Sequence, residues 1–116
     1  MPMNQNQTGD SWVKLEIFVP STHLLQLQEA LHEAGAGQSG FYDHVFAVSE
    51  VTGSFRPLEG SDAFAGEVGK ISRVLESKLE VNCRKDILKD VLAATWKAHP
   101  YEVPVINVIP LIWVAD

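Results

Sequence analysis

The chain of 116 residues is long enough for one domain with a modest core, and its hydrophobic content of 46% is ordinary for a globular protein. A net charge of −6 without any Lys/Arg cluster argues against nucleic acid as a partner, because nucleic-acid affinity normally rests on a basic patch. No apolar run approaches the roughly 18–20 residues that span a bilayer, so no membrane partner is expected. The single cysteine excludes an internal disulfide, and with no secretory signal pattern it predicts a cytoplasmic protein.

The first part of the chain predicts a polar lead-in followed by a strand and a helix. Residues 1–11 are polar and favour a disordered tail, so the expected single domain occupies residues 12–116. Apolar and polar side chains alternate over residues 14–19, the pattern of a half-buried strand. Pro20 ends this strand, and leucines then recur at helical spacing until Gly35, a residue type that commonly ends helices. His23 and His32 fall on the polar face of this helix, where we expect solvated side chains.

The second half of the chain repeats the first. Lys14-Leu15-Glu16 opens the first strand and Lys78-Leu79-Glu80 opens a matching one over residues 78–83. A second helix follows, and Pro100 prevents its continuation because a proline disfavours helical geometry in the residue before it. A tandem strand–helix duplication of this kind predicts two structurally equivalent halves.

A further strand is predicted after each helix, at residues 42–48 and 105–112. The order β-α-β-β-α-β predicts an α+β, ferredoxin-like fold, in which a four-stranded antiparallel sheet carries both helices on one face. The other face of the sheet would be uncovered, with Phe18, Phe46 and Trp113 able to project from it. Because large exposed apolar patches usually mark interfaces, self-association is expected.

Residues 50–70 form a loop or arm inserted between the second and third strands, and they interrupt the repeat. They hold four of the eight glycines, and loops of this length are usually functional or disordered. Phe55, Leu58 and Phe64 indicate that this long loop packs on something. Topology places it at the same edge as the end of the second helix, whereas the end of the first helix lies at the opposite edge.

Four motifs occur in order along the chain: Gly35-Ala-Gly-x-x-Gly-x-Tyr-Asp-His44, Thr52-Gly-Ser-Phe-Arg-Pro-Leu-Glu-Gly60, Gly66-Glu-Val-Gly69 and His99-Pro-Tyr-Glu102. Together, over residues 12–111, they resemble the domain inserted in YqfO-type members of the NGG-interacting-factor family, often labelled GTP cyclohydrolase I type 2-like. The resemblance implies a PII/CutA-like domain that associates as a homotrimer. Val45, Val51 and Val103 stand where the motif commonly has Cys, Gly and a second Glu, which weakens any metal or anionic site that uses that Cys or that Glu.

The resemblance also limits what the family name can imply. The dinuclear metal centre of the family belongs to two flanking domains that lie outside these 116 residues, so a hydrolase activity is not expected to follow from the name. The glycines of the first motif match a dinucleotide-binding pattern, but they close a helix instead of opening one. A helix C-terminus is the negative end of the dipole, so we reject nucleotide binding there.

The polar groups around the two helix ends are the candidate site residues. His99 and Glu102 are the candidate metal ligands, since imidazole and carboxylate suit zinc or a similar divalent ion. The candidate ligand-binding side chains are Tyr42, His44, Arg56, Glu59 and Tyr101, among which the arginine could clamp an anion. The alternative is structural: His99 caps its helix, Glu102 pairs locally, and Arg56 forms an ion pair with a neighbouring glutamate.

Three hypotheses about function follow. The leading one is a non-enzymatic, homotrimeric PII/CutA-like module that binds a small ligand or divalent metal ion at subunit clefts, with a regulatory role. The second is an interaction or scaffold domain in which the histidines and glutamates are structural. The third is a metal-dependent hydrolase acting through His99 and Glu102, which needs a general base near an activated water.

Overall fold

The computed structural model describes the backbone of residues 6–115 and the side chains of residues 11–115. Its elements are β1 (Asn6–Pro20), α1 (Leu24–Glu33), β2 (Ala47–Phe55), β3 (Ser72–Arg84), α2 (Leu88–Ala98) and β4 (Val105–Ala115). A single 3-10 turn precedes each helix. The strands form one antiparallel sheet in the order β2-β3-β1-β4. The predicted ferredoxin-like order is therefore confirmed. Within the described residues no helix is long and apolar enough to cross a membrane.

The strand β1 begins earlier than the sequence predicts. It starts at Asn6, so the expectation of a disordered tail is wrong for residues 6–11, while residues 1–5 lie outside the described residues. Asn6 pairs with Ala115 at the end of β4, and a register shift separates this pairing from the main ladder that begins at Trp12. Ladder hydrogen bonds use backbone groups, so a polar sequence without an apolar alternation can still form a strand.

The strand β2 is displaced relative to its predicted position. It runs from Ala47 to Phe55 instead of over residues 42–48, and it pairs with β3 from Glu80 back to Ser72. The predicted insertion therefore shrinks to the connection at residues 56–71, which we call the β2–β3 loop. The two strands extend as a hairpin beyond the helices, because Val51, Thr52 and Phe55 favour a pleated backbone.

The core lies between the sheet and the two helices, and it reproduces the sequence repeat. Leu15 and Leu79, which are equivalent in the two halves, are both fully buried. Leu27 of α1 and Val91 of α2 are the equivalent helical positions and are also fully buried. Cys83 at the end of β3 completes this apolar layer as a small hydrophobic side chain.

The uncovered face of the sheet is charged at its centre, which corrects the expectation of an apolar face. Lys14 on β1 pairs with Glu80 on β3, and Lys78 on β3 lies 3.4 Å from Glu16 on β1. Phe18 also projects from this face, with the Lys78 ammonium 5.9 Å from its ring centroid. Because β1 and β3 are the central strands, these cross-strand pairs of opposite charge occupy the middle of the face.

Exposed apolar surface is found on β4 instead. Phe46, expected on the open face, packs against the core, whereas Trp113 is exposed as predicted. The strand β4 lies at the edge of the sheet and carries no charged side chain along its eleven residues. Ile112 is 82% exposed and Val105 is also exposed. A long uncharged edge strand is normally covered by another chain or element.

Candidate functional site

A cleft of about 230 Å³ lies between the β2–β3 loop and the segment that connects α2 to β4. The position of this segment follows from the sequence around Pro100. The His99 N–H donates the last helical hydrogen bond to Thr95 O at 3.0 Å, and the backbone of His99 is already extended. A residue before proline prefers this geometry, so α2 stops and the chain turns across the end of the sheet.

His99 is held by internal hydrogen bonds on both ring nitrogens. Its Nε2 donates to Phe18 O at 2.7 Å, and its Nδ1 accepts from the Tyr101 N–H at 3.1 Å. A carbonyl can only accept and an amide N–H can only donate, so these partners select the neutral tautomer protonated on Nε2. Burial lowers the pKa of His99, which is 7% exposed. These contacts favour a structural role over the predicted metal-ligand role.

Tyr101 and Glu76 form a polar pair at the floor of the cleft. The Tyr101 hydroxyl donates to Glu76 Oε2 at 2.8 Å, and the Glu76 side chain on β3 is nearly buried, at 8% exposed. Burial, together with this neighbouring carboxylate, raises the pKa of Tyr101 well above its usual range. The tyrosine is therefore a neutral hydrogen-bond donor at physiological pH. It lines the cleft, and its role in ligand binding stays a prediction.

Glu76 was missed by sequence reasoning because it precedes the strand predicted at residues 78–83. The signal that could have revealed it is Gly53 on the paired strand β2, which lies diagonally across from Glu76, two residues beyond its direct partner Val51. A Cβ built on Gly53 would collide with the Glu76 carboxylate, so glycine leaves the space that this side chain fills. A glycine in a strand interior often marks such a close approach.

The β2–β3 loop contacts the turn after α2, as the predicted topology requires. The Asp62 N–H donates to Glu102 Oε1 at 3.0 Å. The Phe64 ring lies 5.9 Å, centroid to centroid, from the Tyr101 ring. Glu102 thus accepts a local hydrogen bond at the rim of the cleft, and the loop closes over one side of it.

Arg56 and Glu59, also predicted to bind a ligand, lie in the β2–β3 loop but do not line the cleft. Both side chains are exposed. Within residues 11–115 no ion pair of either side chain is found, so the expected pairing of Arg56 with a neighbouring glutamate is not formed. The geometry gives neither residue a contact with the other predicted site residues.

Tyr42 and His44 lie at the opposite end of the strands, as predicted. The chain reaches them through Gly37, whose N–H donates to Asn82 O near the end of β3 at 3.1 Å. Tyr42 is 75% exposed. His44 adopts a positive φ of 53°, which is uncommon for a residue other than glycine. The two ends of the sheet therefore carry separate sets of polar residues.

His44 lies within a cluster that the sequence did not predict. Its Nδ1 lies 2.9 Å from Asp43 Oδ1 and its Nε2 lies 2.7 Å from Glu29 Oε2. Hydrogen bonds to Asp43 and then Glu29 raise the pKa of His44. His32 stacks on His44 with ring centroids 3.9 Å apart, so the expectation of a solvated His32 is wrong. The cluster was missed because the loop after Gly35 folds back onto α1.

A second cleft, of about 260 Å³, lies near the start of β1 and is lined in part by Trp12, Lys14 and Glu80. Its two charged side chains pair with each other, so neither offers a free charge to a ligand. The Trp12 indole N–H is buried and has no hydrogen-bond partner among the residues that the structure describes. The cleft beside Glu76 is the stronger candidate, because its buried carboxylate has no cationic partner among the side chains that line it.

Comparison with solved structures defines the class of the domain. CutA from Synechococcus elongatus superposes with a TM-score of 0.68 at 16% identity, over 97% of this chain and 88% of that chain. CutA from Archaeoglobus fulgidus superposes with a TM-score of 0.63 at 19% identity, over 86% of this chain and 83% of that chain. The domain therefore has the CutA/PII-like fold.

Sequence comparison then identifies the relatives. The GTP cyclohydrolase 1 type 2 homolog of Halalkalibacterium halodurans is 42% identical over 104 residues, which cover 90% of this chain and 28% of the relative. A Bacillus cereus protein related to NIF3 superposes with a TM-score of 0.77 at 34% identity, over 91% of this chain and 28% of that chain. No family model matches. The chain thus spans little more than a quarter of these relatives, and its resemblance to one of their domains is confirmed.

Proposed function

We propose that the chain is a self-associating, non-enzymatic PII/CutA-like module whose cleft beside Glu76 binds a small organic cation. The observation that carries this proposal is the carboxylate of Glu76, nearly buried at the floor of the cleft. Its partner is the neutral hydroxyl of Tyr101. A buried charge without a counter-charge is costly, so a bound cation would be stabilised there.

The lining of the cleft supports the choice of a cation with an apolar body. Phe55, Phe64 and Tyr101 contribute aromatic rings, and Glu102 adds a second carboxylate at the rim. Lysine, arginine and histidine are absent from the lining side chains of the described cleft. Aromatic faces attract ammonium groups by about 0.5–2 kcal/mol, and the carboxylates add to that attraction. An anionic ligand would be repelled by the two carboxylates.

The β2–β3 loop would respond to the ligand, which is the basis of the proposed regulatory role. Its two contacts with the turn after α2, from Asp62 to Glu102 and from Phe64 to Tyr101, involve groups that line or border the cleft. A ligand that engages Glu102 or stacks on Phe64 would compete with these contacts or reinforce them. A ligand that binds one arrangement of the loop, with these contacts formed or broken, more tightly than the other would shift the populations of the two arrangements.

Self-association is supported by the exposed edge strand β4 and by the elongated shape of the chain. The Cα radius of gyration is 15.9 Å, whereas a compact chain of this length has about 13 Å. The excess arises because the β2–β3 hairpin and the β1–β4 ribbon project at opposite ends. A homotrimer, which the family resemblance implies, would cover the uncharged edge and give the projecting elements neighbours.

The hydrolase hypothesis receives less support from the geometry. It requires His99 to act as a base or a metal ligand, but both of its ring nitrogens are engaged in hydrogen bonds with the backbone. Freeing either nitrogen would leave a carbonyl or an amide without its partner at a largely buried position. A binding role for the cleft involves no such loss.

Calorimetric titration with a panel of primary and quaternary amines tests the binding proposal. We expect an aromatic or aliphatic amine to bind the wild type, and we expect Glu76→Gln to weaken that binding at least about tenfold, because the counter-charge is lost. Glu59→Gln is the matched control, since Glu59 is exposed on the β2–β3 loop outside the cleft. Equal affinities of the two variants, or tighter binding of matched carboxylates, would contradict the proposal. A divalent ion that binds the wild type but not Glu76→Gln, with no binding of amines, would also contradict it.

A further inference from the structure

We propose that His32, Asp43 and His44 form a second site, for zinc or a related divalent transition-metal ion, at the end of α1. This site is separate from the amine cleft, which lies at the other end of the strands. It is also separate from the His99–Glu102 pair that the sequence suggested for a metal. The proposal rests on the geometry of the cluster and not on the function proposed for the cleft.

The fold brings the three side chains together from two segments. His32 lies in the last turn of α1, and Asp43 and His44 lie in the loop that leads to β2. The loop turns back because Gly37 has a positive φ of 81° and its carbonyl accepts from the Val45 N–H at 2.8 Å. The positive φ of His44 then directs its ring onto that of His32.

The distances within the cluster suit a single ion. One potential ligand atom from each of the three residues lies within 4.8 Å of the others. Tetrahedral ligands at about 2.1 Å from zinc lie about 3.4 Å apart, so small side-chain rotations would bring the donors into range. Two imidazoles and one carboxylate form a donor set that zinc and related ions use, and they leave a fourth position open.

The nitrogen atoms of the cluster are arranged in a way that an ion would explain. His32 Nδ1 is buried and has no hydrogen-bond partner among the described residues. A buried polar atom without a partner is uncommon and costly. An ion coordinated by one ring nitrogen of each histidine would hold both imidazoles neutral. Coordination through Nδ1 would also give this buried nitrogen of His32 the partner that it lacks.

Glu29 completes the arrangement as a positioning residue. Its Oε2 lies 2.7 Å from His44 Nε2, so this carboxylate can hold the ring while Nδ1, beside Asp43, turns to the ion. Metal-bound histidines usually donate their other ring N–H to a carboxylate or carbonyl in this manner. Roughly half of each side chain of Asp43 and His44 is exposed, so an ion can enter from solvent.

Competition with a chromophoric chelator at neutral pH, using zinc chloride as the probe, tests the site. We expect one ion per chain for the wild type and at least an about tenfold weaker affinity for His32→Ala and for His44→Asn. Asparagine tolerates the positive φ at position 44, and alanine is favourable in a helix, so both variants retain the fold. Glu29→Gln should weaken binding about 10–100-fold.

His23→Gln is the matched control, because His23 lies at the start of α1, away from the cluster. Cobalt substitution adds a structural readout, since the visible bands of the bound ion should disappear in His44→Asn while the far-ultraviolet circular dichroism stays unchanged. The proposal is overturned if the affinities of wild type and His44→Asn agree, or if His23→Gln weakens binding to the same extent. Amine binding should be unaffected in the His44 variant, which separates this test from that of the cleft.

Discussion

Replacing Tyr101 by phenylalanine removes one hydroxyl group from the floor of the cleft and leaves the ring in place. The ring contacts to His99 and Phe64, at 4.9 and 5.9 Å between centroids, should persist. The change deletes a hydrogen bond of 2.8 Å to the Glu76 carboxylate, which is nearly buried. Hydrogen bonds to charged groups contribute about 1.5–3 kcal/mol, so we expect a loss of about 2 kcal/mol in the free energy of unfolding. That loss corresponds to about 8 °C in Tm for a domain of this size.

Urea denaturation followed by circular dichroism, at a fixed protein concentration, measures this loss. Concentration must be fixed because self-association would contribute to the apparent stability. A double-mutant cycle with Glu76→Gln isolates the pair, and we expect a coupling of about 1–3 kcal/mol. Tyr42→Phe is the control, because the side chain of Tyr42 is exposed and its change should stay within about 0.5 kcal/mol. The stabilising role of the Tyr101–Glu76 hydrogen bond would be refuted if Tyr101→Phe lowers the free energy of unfolding no more than this control does. A coupling energy near zero would refute it as well.

Three further predictions concern buried groups. Burial raises the pKa of Cys83 to about 11, so a disulfide reagent at about pH 8 should modify the native chain far more slowly than the urea-unfolded chain. Burial lowers the pKa of His99 below its usual 6.5, so the unfolded chain takes up a proton before the folded chain does. The stability that is present above about pH 6.5 should therefore be lost as the pH falls through the folded pKa. In urea titrations, His99→Gln should flatten this pH dependence. Gly53→Ala should displace the Glu76 carboxylate, and its effect on stability should add less than fully to that of Tyr101→Phe in a double-mutant cycle.

Each of these predictions has a distinct contrary outcome. Rapid labelling of Cys83 in the native chain would show that the end of β3 opens readily or is not packed as described. Identical pH profiles for wild type and His99→Gln would remove His99 as the source of the acid sensitivity. Full additivity of Gly53→Ala and Tyr101→Phe would mean that the glycine does not act through Glu76.

The fold could be predicted from the sequence largely because its two halves repeat. Leu27 and Val91 occupy equivalent helical positions, and both are fully buried, as a shared pattern of apolar residues requires. The early part of β1 and the far part of β2 were placed wrongly. In these segments β1 pairs with β4 and β2 pairs with β3 through backbone hydrogen bonds. Such pairing cannot be predicted from the alternation of side chains.

The site was less predictable because its contacts are long-range. The turn at His99 could be recognised, but not the hydrogen bond of its ring to Phe18, which lies 81 residues earlier. Glu76 lay outside the predicted strand, and its role depends on the space left by Gly53 across the hairpin. His32 appeared to be an ordinary polar helix residue, since only the folded-back loop brings His44 against it.

Self-association through the uncharged edge of the sheet is the central claim, and sedimentation equilibrium of the wild-type chain tests it most directly. The account predicts a mass of about 38 kDa, three times the chain mass of 12.8 kDa, at micromolar concentration. A mass of 12.8 kDa that does not rise with concentration would contradict the claim, because the exposed strand β4 would then need no neighbour.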